Sequence, residues 1–192
     1  YAIAMAAKAK GASVELISGP VALNPITDIR TTYVETSSEM YEAVKEKVSD
    51  FDIFISTAAI ADYKPANYSD TKYKKNENNI TIEFTRGIDI LETISKKYKN
   101  LFTVGFAAET NSLKENTQQK LAKKNLDLIV GNIANHELKL GFESDYNEVI
   151  ILSNTNSKKI SYDKKSNIAN KILDFIAVEY SNKLQLVKNN VK

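Results

Sequence analysis

The sequence predicts a three-layer α/β domain: a mainly parallel sheet with helices on both faces and an antiparallel hairpin at one edge. Three observations carry that expectation. Short apolar runs of strand length alternate along the chain with amphipathic stretches of helix length. The runs at residues 51–57, 101–107 and 126–131 are largely apolar instead of alternating, the pattern of strands buried on both faces. Two later runs, 147–152 and 158–162, are separated only by residues 153–157, a gap that suits a hairpin and leaves no room for a crossover helix.

The elements follow in order. Residues 1–10, rich in alanine, predict a helix stopped by Gly11. No initiator Met and no capping residue stand before it, so the expectation is a chain met partway through. A strand is expected over 13–17, then the loop Ser18-Gly-Pro20, then a strand near 32–34. Thr36-Ser-Ser-Glu39 reads as a capping box, in which a hydroxyl and a carboxylate exchange bonds with free amides. It opens a helix to about Val48. The strand at 51–57 leads into a long loop containing the flexible, Lys/Asn-rich stretch 74–79. Residues 80–84, Ile-Thr-Ile-Glu-Phe, alternate as a strand with one wet face does. Asp89-Ile-Leu-Glu92 is a second capping box and starts a helix to about Lys99. Strand 101–107, helix 112–124, strand 126–131 and the hairpin follow. A last helix runs from Asp163 to about Tyr180. Residues 1–181 are read as one domain and 182–192 as a polar, fraying tail.

Composition narrows the chemistry. The 192 residues are 43% apolar and 26% charged, an ordinary balance for a globule that buries its own core. There is no cysteine, which excludes disulfides, thiolate metal sites and thiol catalysis. The single histidine, His136, leaves too few imidazoles for a zinc centre. A net charge of +2 selects no class of partner. No apolar stretch approaches the ~18 residues needed to span a bilayer, and no signal peptide is visible. The expectation is a cytoplasmic protein with no membrane or nucleic-acid partner.

In sheets of this kind ligands sit at the carboxyl ends of the strands. Three segments fall there: 56–65, 105–111 and 131–135, each beginning with small residues. Ala58 and Ala59 would let a ligand approach the backbone, and Gly105, Ala107 and Gly131 would do the same at neighbouring strands. Tight helix–sheet packing is the competing reading of each. Asp62, just past a strand end, is either a turn aspartate or a contact to a ribose, base or metal. Lys72, Lys74 and Lys75 lie in a loop that either is solvated surface or closes over phosphates. Lys120 and Lys124 share a helix face and, with Lys123 and Lys72, would make an anion-attracting field. Asp89 heads a helix whose free amides suit a phosphate. Neither Gly-x-x-x-x-Gly-Lys nor Gly-x-Gly-x-x-Gly occurs. Tyr68-Ser-Asp-Thr-Lys72 fits the Tyr-x-x-x-Lys pair of short-chain dehydrogenases, but its turn-forming neighbours deny it the helix that pair requires.

Six motifs occur in a fixed order: Ser18-Gly-Pro20, Ala58-Ala-Ile-Ala-Asp-Tyr63, Lys72-Tyr-Lys-Lys75, Val104-Gly-Phe-Ala-Ala-Glu-Thr110, Lys120-x-x-x-Lys-Asn-Leu-Asp-Leu-Ile129 and Gly141-Phe-Glu-Ser-Asp145. Together, over about residues 1–180, they resemble the bacterial phosphopantothenate–cysteine ligase family, usually the carboxy-terminal half of a bifunctional coenzyme A biosynthesis flavoprotein. The resemblance implies a Rossmann-like fold. It also implies CTP-dependent activation of 4′-phosphopantothenate to an acyl-cytidylate with release of pyrophosphate. L-cysteine then displaces CMP, giving 4′-phosphopantothenoylcysteine. By motif, Ser56, Thr57, Ala58 and Asp62 would line the nucleotide site, with Ala59 near the reacting centre. Lys72 would be the catalytic flap lysine. Ile88, Asp89, Ile90 and Leu91 would form a nucleotide-contacting loop, although Gly87-Ile-Asp-Ile departs from the family's Asn-Pro-Asp-Ile. Phe106 would pack near the cytidine, and Lys120 and Lys124 would take phosphates. Mg²⁺ is expected on the triphosphate, FMN only where a decarboxylase domain precedes, and a homodimer through residues 80–86. The family's first strand and its glycine-rich and Ser-Ser-Gly loops are absent, so this portion alone is expected to be inactive. Two alternatives stand beside it. A Rossmann-type NAD(P)-dependent reductase would need a dinucleotide glycine fingerprint. A non-enzymatic nucleotide- or RNA-binding module would use the lysine loop, with near-balanced charge and no aromatic platform against it.

Overall fold

The computed structural model describes residues 1–67, 81–109, 111–133 and 144–190. The elements are α1 (Ala2–Ala9), β1 (Glu15–Ser18), β2 (Arg30–Tyr33), α2 (Ser37–Lys47) with a 3-10 turn at Val48–Asp50, β3 (Ile53–Ser56), β4 (Tyr63–Pro65), β5 (Phe84–Arg86), α3 (Ile90–Lys97), β6 (Phe102–Glu109), α4 (Leu113–Lys123), β7 (Leu128–Ile133), β8 (Tyr146–Ser153), β9 (Ser157–Lys164) and α5 (Lys165–Asn190). Among the described residues the central sheet has five strands in the order β3-β6-β7-β8-β9. β3, β6 and β7 run parallel, and β8 and β9 add the antiparallel edge hairpin. β1 and β2 form a separate parallel pair, and β4 and β5 a separate antiparallel ribbon. Among the described residues no helix is long and apolar enough to cross a membrane.

Strand periodicity sends alternate side chains to opposite faces. Val104, Leu128, Val130 and Ile151 meet Ala6 of α1 and Ile168, Ile172 and Ile176 of α5 on one face. Ile129 and Leu152 meet Leu91 and Leu121 on the other. A third cluster joins Val44 and Val48 to Ile90 and Ile94. Each fully buried Leu or Ile stabilises the fold by roughly 1.5–3 kcal/mol, so helices on both faces follow directly from these strands.

The first capping box forms as expected: Glu39 N donates to Thr36 Oγ1 (3.1 Å) and Thr36 N to Glu39 Oε2 (3.3 Å). The second is one-sided. Glu92 N donates to Asp89 Oδ1 (3.0 Å), but the Glu92 carboxylate turns to Lys96 one helical turn on.

Four expectations need correction. β4 lies inside the expected long loop; three residues, the last a proline, give no periodicity to read, and only the pairing with β5 reveals them. The strand expected at 80–84 is instead β5 at Phe84–Arg86, because pairing with Tyr63–Pro65 fixes the register; Ile80 lies outside the described residues. Gly105 and Gly131 do not open the backbone to a ligand. A Cβ at Gly105 would come within 2.8 Å of Leu126 and Leu91 side-chain carbons, and one at Gly131 would strike the Thr117 hydroxyl and lie 3.0 Å from Leu113. Both are glycine because helices and neighbouring side chains press on the sheet there. Finally, α5 does not end near Tyr180 but runs to Asn190. Lys183 holds it down, donating to Leu101 O (3.0 Å) and pairing with Asp127 (2.7 Å) beneath the sheet.

Candidate functional site

A cleft of about 290 Å³ opens where β3 ends and β6 runs on past it. Gly105 pairs with Ser56, the last residue of β3, so Phe106, Ala107 and Ala108 stand beyond the shorter strand. Ser56, Ala58, Ala59 and those three residues line the cleft from the sheet side. Asp62 lines it from the loop that follows β3, Ile88, Asp89, Ile90 and Leu91 from the loop leading into α3 and that helix's first turn, and Lys120 and Lys124 from the end of α4. Eleven of the thirteen site positions expected from sequence therefore converge, the thirteen being Ser56, Thr57, Ala58, Ala59, Asp62, Lys72, Ile88, Asp89, Ile90, Leu91, Phe106, Lys120 and Lys124. Thr57 is not among the lining residues, and Lys72 lies outside the described residues.

Arg86 and Gly87 also line the cleft, and sequence reasoning gave neither a part in it. The register Tyr63↔Arg86 brings that guanidinium to the mouth. Gly87 N donates to Asp62 O (2.8 Å). A Cβ at Gly87 would lie 3.3 Å from Ala61 O, so here glycine does permit two backbones to meet. This contact joins the two loops that wall the cleft. The departure from a Pro-Asp turn in Gly87-Ile-Asp-Ile was the one sequence signal pointing to it.

Neither cleft lysine is a solitary cation. Lys124 Nζ lies 2.7 Å from Asp89 Oδ2 and Lys120 Nζ 2.6 Å from Glu109 Oε1. Burial pushes the Asp89 carboxyl upward, but the Lys124 ammonium and the Glu92 amide outweigh it, with Arg86 adding attraction, so its pKa sits below the usual carboxylate range. Asp89 thus caps α3 with one oxygen and holds Lys124 with the other. The cap uses an amide that a phosphate would otherwise have taken.

A second cleft of about 250 Å³ lies beside the first, lined by Gly19, Pro20 and Val21 after β1, by the start of α2 and by Met40. Ala58 and Ala59 line both, so the two spaces meet at this pair of small residues. Among the described residues no three His, Cys, Asp or Glu side chains gather as a metal cage.

The arrangement can receive a flat ring against Phe106, a polar arm along exposed main chain, and anionic groups at the lysine rim. Residues 1–180 match the family described as DNA/pantothenate metabolism flavoprotein C-terminal domain. The chain is 40% identical over 176 residues to the Coenzyme A biosynthesis bifunctional protein CoaBC of Vibrio vulnificus strain CMCP6, covering 90% of this chain and 44% of that protein. It is 39% identical over 179 residues to the protein of the same name from Bacillus subtilis strain 168, covering 92% and 44%. The chain thus spans less than half the length of these relatives. A crystal structure of the C-terminal domain of CoaBC superposes with a TM-score of 0.75 at 33% identity, covering 95% of this chain and 81% of that one. The DNA/pantothenate metabolism flavoprotein from Streptococcus pneumoniae also gives 0.75, at 17% identity with 92% and 86% covered, and shares the fold. This chain belongs to the DNA/pantothenate metabolism flavoprotein C-terminal domain family.

Proposed function

We propose that this chain is the ligase part of a coenzyme A biosynthesis enzyme, joining 4′-phosphopantothenate to L-cysteine at the expense of CTP. The observation that carries the reading is the convergence of Ala58, Ala59, Phe106, Lys120 and Lys124 on one cleft. Relatives named for coenzyme A biosynthesis support it. In this reading the substrate carboxylate oxygen attacks the α-phosphorus of CTP and pyrophosphate leaves. The cysteine nitrogen then attacks the acyl carbon, the bond to CMP breaks and the amine gives up a proton. The phosphopantothenate carboxylate, the triphosphate and the acyl-cytidylate are all anionic, so positioning and charge stabilisation carry the work. Phe106 gives the base an apolar wall. Ala58 and Ala59 leave room at the reacting centre, and Asp62, on the mouth, reaches for the sugar or base. Lys120 and Lys124 hold phosphate oxygens. Lys72, which lies outside the described residues, is assigned the flap role from the motif alone. Mg²⁺ would enter with the triphosphate, since this cation keeps its waters and prefers phosphate oxygens to a protein cage. FMN has no part in this step and belongs, in this reading, to a decarboxylase domain.

The exposed β4–β5 ribbon is proposed as a homodimer arm. Tyr63 is 62%, Phe84 56% and Ile82 55% exposed, which is apolar surface of the kind that marks an interface.

The test is pyrophosphate release by the protein that carries this chain, with each substrate omitted in turn. Release should require both CTP and phosphopantothenate. Release from CTP alone at the same rate would refute the reading. A Lys72→Ala variant should stay folded and lose most turnover.

A further inference from the structure

Glu109 ends β6 without lining the cleft, yet its carboxylate stands directly behind a lysine that does. The Glu109 side chain is 11% exposed and that of Lys120 46%. Oε2 is fixed from the protein side, accepting from Asn116 Nδ2 at 3.2 Å, while the same amide donates to Asn111 O at 3.1 Å. Asn116 and Lys120 are one turn apart on α4, so a single carboxylate grips the helix at two successive turns. Oε1 takes the Lys120 ammonium at 2.6 Å without a hydrogen-bonding angle. The lysine is therefore held by charge and not locked in direction. Lys120 lines the cleft, and its ammonium carries three donors.

We infer that Glu109 is a positioning residue for the anion-binding lysine of this cleft: it presets the Lys120 ammonium at the rim, where a nucleotide phosphate arrives. The inference rests on the nucleotide reading of the cleft. A buried carboxylate is costly to keep unless it is paired, and an apolar residue would pack between β6 and α4 without that cost. Flexible lysine arms lose conformational freedom on binding an anion; a lysine already tethered loses less.

The test uses E109Q, which keeps the volume and the Asn116 contact but removes the charge. Its KM for CTP should rise about tenfold with kcat little changed, the scale expected when one partner of a close charge pair is lost. In the double variant E109Q/K120Q, the loss should equal that of K120Q alone. A second full loss on top of K120Q would mean a structural effect unrelated to the lysine and would overturn the inference. An arm independent of turnover measures acetylation of the Lys120 amine by mass spectrometry. E109Q should speed it several-fold and leave Lys124 unchanged; unaltered labelling sinks the positioning role. CTP should protect Lys120 in the unmutated protein. If it does not, while E109Q still speeds labelling, the nucleotide reading fails and the Glu109–Lys120 coupling stands. E109D, with the charge on a shorter arm, should label at an intermediate rate and serves if E109Q does not fold.

Discussion

A methyl group added at Gly131 would land on the Thr117 hydroxyl and against Leu113, inside the packing of α4 on β7. Thr117 is fully buried, and rigid β-branched neighbours yield poorly. Gly131→Ala should therefore destabilise by about 1–3 kcal/mol, lowering the thermal midpoint by several degrees while leaving CTP affinity intact. A loss of CTP affinity at unchanged stability would return Gly131 to the ligand. The Thr117 hydroxyl itself has no hydrogen-bond partner among the described residues. Small residues at strand ends are ambiguous in a sequence for a physical reason. The same missing side chain admits either a ligand or a helix, and only the face to which the Cβ points decides between them. Ala58 and Ala59 went to the cleft, Gly105 and Gly131 to packing. The lysines were legible as a shared helix face, but their carboxylate partners, 35 residues away for Asp89 and 11 for Glu109 by sequence number, were not.

Elements that read well are those whose signal is local. The Thr36 box, the buried strands and the hairpin each carry their own pattern, and each forms. What fails is decided at a distance. The polar composition after Asn182 says nothing of Lys183, whose ammonium also sits 5.7 Å over the Phe102 ring. Asp127 answers it, accepting as well from Thr103 N (2.7 Å) and Thr103 Oγ1 (3.2 Å). Lys183→Ala leaves that part-buried carboxylate short of its cation and should cost about 1–3 kcal/mol, read from the urea midpoint. Amides beyond Ser181 should then exchange faster with solvent; unchanged exchange would show that the helix end needs no anchor. At the other end of α5, Asp163 receives bonds from Lys171, Asn167 and the Lys164 amide, which lower its pKa to about 2. Because the folded value lies below the ordinary aspartate value of about 3.9, its contribution to stability is present above that pH. It fades as pH falls toward 2. The carboxyl signal followed by NMR should titrate near 2, and Lys171→Ala should move it upward. A midpoint unmoved by that change would reassign the shift.

At the scale of the whole molecule, sheet order sets the site: β6 overruns β3, and the chain that leaves β3 returns as the β4–β5 ribbon before capping α3 at Asp89. The three-layer architecture was readable because a doubly buried strand needs helices on both faces. The ribbon was not, since a short antiparallel pair closed by residues far apart in sequence leaves no period to detect. It is also where the molecule is least self-sufficient. Two short strands with both faces in water are marginal alone, and here they display Tyr63 and Phe84 to solvent, with Ile82 exposed just before β5. A second copy burying these side chains would remove the exposed apolar area and stiffen the Gly87–Asp62 contact at the cleft mouth. Phe84→Glu tests this cleanly, because the ring is exposed in the single chain and its loss should change monomer stability by less than about 0.5 kcal/mol. Placed at an interface, the same change should weaken association by about 2 kcal/mol or more, some thirtyfold. Sedimentation at micromolar concentration should show a dimer for the unmutated protein and a monomer for Phe84→Glu, with CTP binding weakened in parallel. An unmutated protein that sediments as a monomer, or a variant that stays dimeric, would detach the ribbon from assembly and leave its apolar face to another partner.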